Sequence, residues 1–544
     1  MSPIETAPRP TSFTAQHLAT LDMPFGAASD TPRPNAKDGR LARWLGVLLN
    51  MLGVLLAVGV LTAAVSALRS IVASGDWMYS DGALLYFVMQ ISAGTSPYGD
   101  YAVSPYMASP YWPLYLAAAG ALTRLFSLGA EGALYLMRGL TVASTVMTAA
   151  AIARLVALGG GRRVAGVGAA GLFLISYVVH PWAYAARPDL PGLGLVLVGL
   201  AVLLGSRGVT GALVAGLLMA AGFACKQTFV VGIALASLTL LWRREWLRLI
   251  ALVGAWVAFV FGTLVATELW SGGMFLADTV SNNLLPFRLQ TMLDHVTVYL
   301  QLSLPILALA ALGWRGTGRP SSARGPLTLY LLMAAAVGLT TIARAGSYYN
   351  HLIETTAILS VFAGFGLERC LTALDGFKAG RPVTRQLSRS AVLSVAALGV
   401  AVMCSGVPLL ALGFKALNPP DRDALIAALR EAPGPVLTEK DALAVMLAGK
   451  EPIAGDPLGA GLLAAQGRWD PTELNEMIRN GGFAMIAVDH RIDERAAFDE
   501  FQWWPAGTRE AMQARYRLDR RLEDLYLYVP DPASASQESP RAAR

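Results

Sequence analysis

The chemistry-bearing residues of this chain gather in short polar stretches that interrupt long apolar runs. The first is residues 76–113, DWMYSDGALLYFVMQISAGTSPYGDYAVSPYMASPYWP, which sets Asp76, Asp81 and Asp100 among tyrosines and prolines directly after an apolar run. Carboxylates against a membrane face are costly unless water, a partner or a substrate uses them. Further stretches are HPWAYAARPDLPG with His180, Arg187 and Asp189, and CKQTF with Lys226. The connection 270–295 carries Asp278, Asn282, Asn283 and Arg288, and RAGSYYNHLIE carries Arg344, Tyr348, Tyr349, Asn350, His351 and Glu354. Carboxylates beside a lysine and arginines suit a substrate with an anionic headgroup: phosphate against the cations, and a carboxylate to take a proton.

Each residue alone also has a plainer reading. Aspartates such as Asp81 and Asp100 favour turns, and Asp189 after Arg-Pro fits a helix entry. Lys226 at the mouth of an apolar run can snorkel to the interface, and Tyr348 and Tyr349 fit an interfacial aromatic belt. His180 and His351 have no HxxxH or HExxH spacing, so no zinc site is indicated. Their shared sidedness is what raises them above these readings.

That sidedness comes from the apolar elements. The chain has 544 residues, 55% hydrophobic and 15% charged, where a soluble protein carries about 25% charged residues. Apolar runs at about 44–70, 135–158, 164–181, 191–205, 209–224, 227–242, 248–270, 295–313, 326–343, 353–371 and 391–412 read as about eleven spans of ~30 Å of hydrocarbon. With the N-terminus cytoplasmic, Arg162 and Arg163, Arg207, Arg243 to Arg248, Arg315 to Arg324 and Lys378 to Arg389 all fall inside, as the positive-inside bias requires. The net charge of +6 is thereby explained without nucleic acid. Every polar stretch above then lies on the outer face. The segment 110–128 reads as a juxtamembrane helix there, its aromatics at the interface. Cys225, Cys370 and Cys404 lie far apart in apolar segments and read as small core residues.

The expected fold is a polytopic α-helical membrane protein with a small C-terminal α/β extracytoplasmic domain. Residues 1–40 read as a disordered cytoplasmic N-terminus and 41–412 as the transmembrane catalytic domain, with outer loop 1 and its juxtamembrane helices at about 71–134. Residues 413–530 read as strands alternating with helices, through GPVLTEKDALAVMLAG, FAMIAVDH and LYLYVP, and 531–544 as a disordered tail.

The succession SDGALLYFVMQISAGTSPYGDY, SPYWPLYL, ARPDLPGL, KQTF and GSYYNHLIE resembles the polytopic GT-C glycosyltransferases. The nearest branch is the family 39-like group that includes aminoarabinose-lipid A transferases and protein O-mannosyltransferases. The resemblance covers roughly residues 40–412. It implies a polyprenyl-phosphate-linked sugar donor, a lipid or glycan acceptor, and transfer on the periplasmic or outer face of the inner membrane. It implies Asp81 as the loop-1 general base and Asp189 as the second acidic residue of the site. Asp100, Arg187, Lys226, Arg344, Tyr348, Asn350 and His351 are the expected substrate contacts. The family's adjacent Asp-Glu pair is absent, since Ser80 precedes Asp81 and Gly82 follows it; no cofactor and no bound metal are expected. Direct displacement with inversion is the expected reaction. A transporter or flippase of a lipid-linked saccharide is the alternative, and it would show internal repeats and polar groups at mid-membrane.

Overall fold

The computed structural model describes residues 36–73, 81–314, 323–378, 420–454, 457–494, 504–522 and 525–532. Residues 1–35, Asp76, the expected span at 391–412 and residues 533–544 lie outside these.

In hydrocarbon every backbone N–H and C=O needs an internal partner, so the apolar runs fold as helices. They are α1 (Ala36–Ile71), α4 (Ala130–Leu158), α5 (Arg163–Leu174), α6 (Asp189–Gly205), α7 (Val209–Cys225), α8 (Val231–Trp242), α9 (Trp246–Trp270), α10 (Leu289–Trp314), α11 (Arg324–Ile342) and α12 (Ile353–Lys378). Between α1 and α4 the chain forms α2 (Asp81–Ala93) and α3 (Leu114–Leu125), the helix anticipated within 110–128. Six of these helices are long and apolar enough to cross a membrane: α1, α4, α9, α10, α11 and α12 with its preceding turn. The chain is a multi-pass membrane protein.

The remaining apolar helices are shorter. α5 and α8 have 12 residues, and α6 and α7 have 17; at 1.5 Å per residue they reach ~18–26 Å. The span expected at 164–181 is therefore corrected: its helix stops at Leu174, and only a 3-10 turn, His180–Trp182, follows before α6. Pro181 lacks an N–H and its ring clashes with the carbonyl four residues back, so no regular α-helix runs through 177–181. Irregular backbone at this depth survives only inside protein. Val179, Tyr184, Ala185 and Ala186 are buried accordingly. Its carbonyls are met by α4: Thr145 Oγ1 donates to Ala183 O at 3.0 Å and Thr141 Oγ1 to Arg187 O at 3.3 Å.

Small residues let membrane helices approach closely. A Cβ on Gly222 of α7 would lie 2.6 Å from Gly192 O of α6, and one on Gly192 would lie 3.0 Å from Gly222 O. This crossing sits three residues into α6 and three before the end of α7. It therefore brings the start of α6 beside the end of α7, which is where Asp189 and Lys226 stand.

After residue 419 the elements are α13 (Pro420–Glu431), β1 (Val436–Thr438), α14 (Ala442–Leu447), α15 (Pro457–Ala465), α16 (Thr472–Arg479), β2 (Met485–Val488), α17 (Thr508–Arg515), β3 (Tyr516–Leu522) and β4 (Leu525–Pro530). The four strands form one sheet in the order β1-β2-β4-β3, with β1 and β2 parallel and the other pairs antiparallel. The three segments read as strands in the sequence supply β1, β2 and β4. The fourth, β3, has the sequence YRLDRRL and is exposed along most of its length, so it offers little of the apolar alternation that marks a half-buried strand.

Candidate functional site

Asp81 and Asp189 occupy equivalent local positions: each is the first residue of its helix, α2 and α6 respectively. The positive end of the helix dipole favours a carboxylate there. Both are buried, at 0% and 1% exposure. Buried charge demands partners, and each aspartate has its own set.

Asp189 is the centre of the larger network. Its Oδ1 accepts from Lys226 Nζ at 2.5 Å and from Asn350 Nδ2 at 3.0 Å, and its Oδ2 accepts from Arg187 Nε at 3.2 Å. Lys226 reaches it from the extended residue that caps α7, and Asn350 from the turn Tyr349–Leu352 that leads into α12. Two cations thus meet one carboxylate, leaving net positive charge in a nearly water-free cluster. Arg187 is further held by aromatic groups. Its Nη2 donates to the Tyr111 hydroxyl at 2.6 Å, and its guanidinium carbon lies 4.8 Å from the Trp182 ring centre and 5.7 Å from that of Tyr111. Cation–π contacts of this kind favour the charged form.

Asp81 is bound differently. Its Oδ2 accepts from Arg138 Nη2 at 3.1 Å, and its Oδ1 accepts the Ala186 N–H at 3.2 Å. Arg138 is itself fully buried and donates to the carbonyls of Ser70 and Ala73 at 3.0 and 2.6 Å. The carboxylate therefore ties α2 to α4 and to the backbone one residue before Arg187. Asp81 and Arg187 lie within electrostatic reach of each other, so both expected carboxylates belong to one region.

The other expected contacts fall at varying distances from this centre. His351 is surrounded by Lys226, Asp189, Arg187 and Arg344 within electrostatic reach, and its Nδ1 is buried without a hydrogen-bond partner. The Arg344 side chain is exposed, and its backbone pairs with Phe287 in an isolated bridge. Tyr348 is 47% exposed and makes edge-to-face ring contacts with Tyr349 and His295 and a tilted one with Trp182. Asp100 is exposed and accepts its own loop's Ala102 N–H at 2.8 Å, the ordinary turn geometry of an aspartate. His180 is buried, with its ring against Tyr184. Among the described residues no three His, Cys, Asp or Glu side chains are grouped to hold a metal ion.

Arg138, Tyr111 and Trp182 were not among the residues singled out from the sequence. Arg138 carries a signal that was available: an arginine inside an apolar run is a functional candidate by default. Tyr111 and Trp182 carry none, since interfacial aromatics are common.

A third buried carboxylate, Asp278, stands in the connection after α9. Its oxygens accept from Gly99 N–H at 3.0 Å and Asn282 Nδ2 at 3.1 Å. Burial, with a smaller contribution from Asp100, raises its pKa to about 7. A folded-state pKa above the unfolded value of ~3.9 means that the folded form holds the proton more tightly. Its stabilising effect is complete below that unfolded value and is lost as pH rises through about 7. Thermal denaturation measured from pH 4.5 to 8 is expected to show this decline, and Asp278→Asn is expected to flatten it.

No known family's sequence profile matches the chain, and no curated protein sequence matches it. Solved structures do. ArnT from Cupriavidus metallidurans bound to undecaprenyl phosphate superposes with a TM-score of 0.55 at 14% identity, over 92% of this chain and 99% of that one. The Archaeoglobus fulgidus oligosaccharyltransferase in complex with Zn and sulfate gives 0.51 at 13% identity, over 85% and 71%. The oligosaccharyltransferase AglB of the same organism, in complex with an inhibitory peptide and a dolichol-phosphate, gives 0.51 at 11%, over 89% and 75%. These likenesses show that this chain shares their overall fold.

Proposed function

We propose that this protein is a membrane glycosyltransferase that moves a sugar from a polyprenyl-phosphate donor to a lipid or glycan acceptor on the outer face of the inner membrane, its N-terminus cytoplasmic. The observation that carries the reading is the buried cluster in which Lys226 and Arg187 flank Asp189, with Asn350 completing it. An excess of one positive charge in a dry site is suited to a phosphodiester whose negative charge grows as the glycosidic bond breaks. The structures of ArnT with undecaprenyl phosphate and of AglB with a dolichol-phosphate, which share the fold, support the same donor class.

In this reading the acceptor oxygen attacks the anomeric carbon as the phosphate leaves from the opposite side, which inverts the configuration. Lys226 and Arg187 stabilise the departing phosphate. Asp189 holds both cations in place, and Asn350 and His351 contact the donor headgroup. Asp81 receives the acceptor proton, the acceptor hydroxyl taking the place of the Ala186 amide at Oδ1. Its ion pair with Arg138 holds the carboxylate in place, and phosphate departs readily without a covalent enzyme intermediate.

The test is transfer from undecaprenyl-phosphate-linked sugars by the purified protein in proteoliposomes. Lys226→Met is expected to lower kcat by ~10²–10³-fold, the usual scale for removing one preorganised charge-stabilising donor. Trans-bilayer movement of the donor without bond formation would support a flippase instead.

A further inference from the structure

We propose that the C-terminal α/β domain is a working part of the site, buttressing α2 and thereby holding Asp81 in place, with Gly82, Leu443 and Glu451 as positioning residues. The proposal rests on the transfer reading above, in which Asp81 serves the acceptor.

Gly82 follows Asp81 directly, and Gly82 and Tyr86 are four residues apart on one face of α2. Both touch the C-terminal domain. A Cβ on Gly82 would lie 2.1 Å from Leu443 N, 2.7 Å from Ala442 C and 2.9 Å from Ala442 Cβ. Backbone of α14 is thus seated against backbone of α2, a contact that only glycine admits. Leu443 is 0% exposed and packs in one apolar cluster with Leu84, Phe87 and Leu134. One turn along, Tyr86 Oη donates to Glu451 Oε1 at 2.9 Å.

Two further grips lock the same domain to the outer loops. Tyr106 of loop 1 has φ +54, a left-handed conformation unusual outside glycine, and is 1% exposed. Such strain persists only where the surroundings impose it. Here the ring is inserted into the core of the C-terminal domain, 5.5 Å from Trp469 and clustered with Leu437, Ile486 and Val488. Arg468 donates to the Ser281 carbonyl, in the same turn as Asp278. The domain therefore holds α2, loop 1 and the α9–α10 connection together, and α2 begins with the carboxylate itself.

Misplacing a catalytic group by ~1 Å can cost ~10²-fold in rate. The test uses the full-length protein in proteoliposomes with three readouts: transfer kinetics, binding of undecaprenyl phosphate, and hydrogen–deuterium exchange across 81–93. For Gly82→Val, kcat is expected to fall ~10²-fold, with donor KM and undecaprenyl phosphate affinity within about twofold of wild type. Exchange in α2 is expected to quicken by about tenfold or more, with α12 unchanged. Glu451→Leu is expected to shift both readouts in the same direction but less, and Glu451→Gln, which keeps an acceptor for Tyr86, to restore them; these variants serve if Gly82→Val does not fold. Wild-type α2 protection in Gly82→Val, or lost protection with kcat intact, overturns the proposal. Absence of transfer in the wild type, with the exchange changes present, counts against glycosyl transfer and leaves the buttress standing as a structural contact.

Discussion

Arg138→Met is expected to destabilise the protein by ~3–5 kcal/mol, because it strands the fully buried Asp81 carboxylate without its cation. The carbonyls of Ser70 and Ala73 lose their donor in the same step. Asp81→Asn alone is expected to cost a comparable amount, since the guanidinium is then the uncompensated charge. The double variant Asp81→Asn/Arg138→Met is expected to recover much of the loss, as removing both members of a buried pair often does. Transfer is expected to behave otherwise. If Asp81 takes the acceptor proton, the double variant regains stability and remains ~10²–10⁴-fold slower. Thermal stability in detergent and initial transfer rates on the same samples separate the outcomes. Recovery of both together would reduce Asp81 to a structural tie.

Asp189→Ala is expected to have the second largest effect. It leaves Arg187 and Lys226 buried side by side without their shared carboxylate and removes the acceptor of Asn350. A cost of ~3–5 kcal/mol follows for the uncompensated charge. Two facing cations should also grip a phosphate more firmly once the competing carboxylate is gone. Undecaprenyl phosphate is therefore expected to bind Asp189→Ala tighter than wild type while turnover falls by ~10²-fold or more, since product release and alignment both suffer. Isothermal titration and single-turnover kinetics would read the two arms. Weaker lipid binding in a folded Asp189→Ala protein would place the phosphate elsewhere. Adding Lys226→Met to Asp189→Ala is expected to restore part of the stability, because charge pairs in contact are not additive.

Much of the site was visible as residue types before any geometry. SDG, ARPD, CKQTF and SYYNH name Asp81, Arg187, Asp189, Lys226 and Asn350, and the arginine bias gives the expectation that they share one face. Hydrophobic periodicity is strong where a helix must satisfy its backbone in lipid, so nine of the eleven expected spans fall on described helices, from α1 to α12. The span at 164–181 misled because apolar composition continues to Pro181 while the helix does not. There, buried irregular backbone has an apolar sequence for the same reason a helix would: both exclude water.

Which residues touch was not visible, because contact depends on crossings between elements distant in sequence. Asp81 meets Arg138 across 57 positions and Asp189 meets Asn350 across 161, and no local pattern encodes either separation. Asp100 and Asp81 look alike as loop acids, yet one turns out exposed and serves its own loop while the other is sealed. Sequence by itself determined that the chain spans a membrane and that a small α/β unit follows, since composition and period report solvent directly. Only the tertiary structure decided that Asp189 is shared between two cations, that Asp81 is locked to Arg138, and that the C-terminal domain seats on Gly82. Those facts depend on close approaches, made at Gly192, Gly222 and Gly82, whose consequences appear only once both partners are in place.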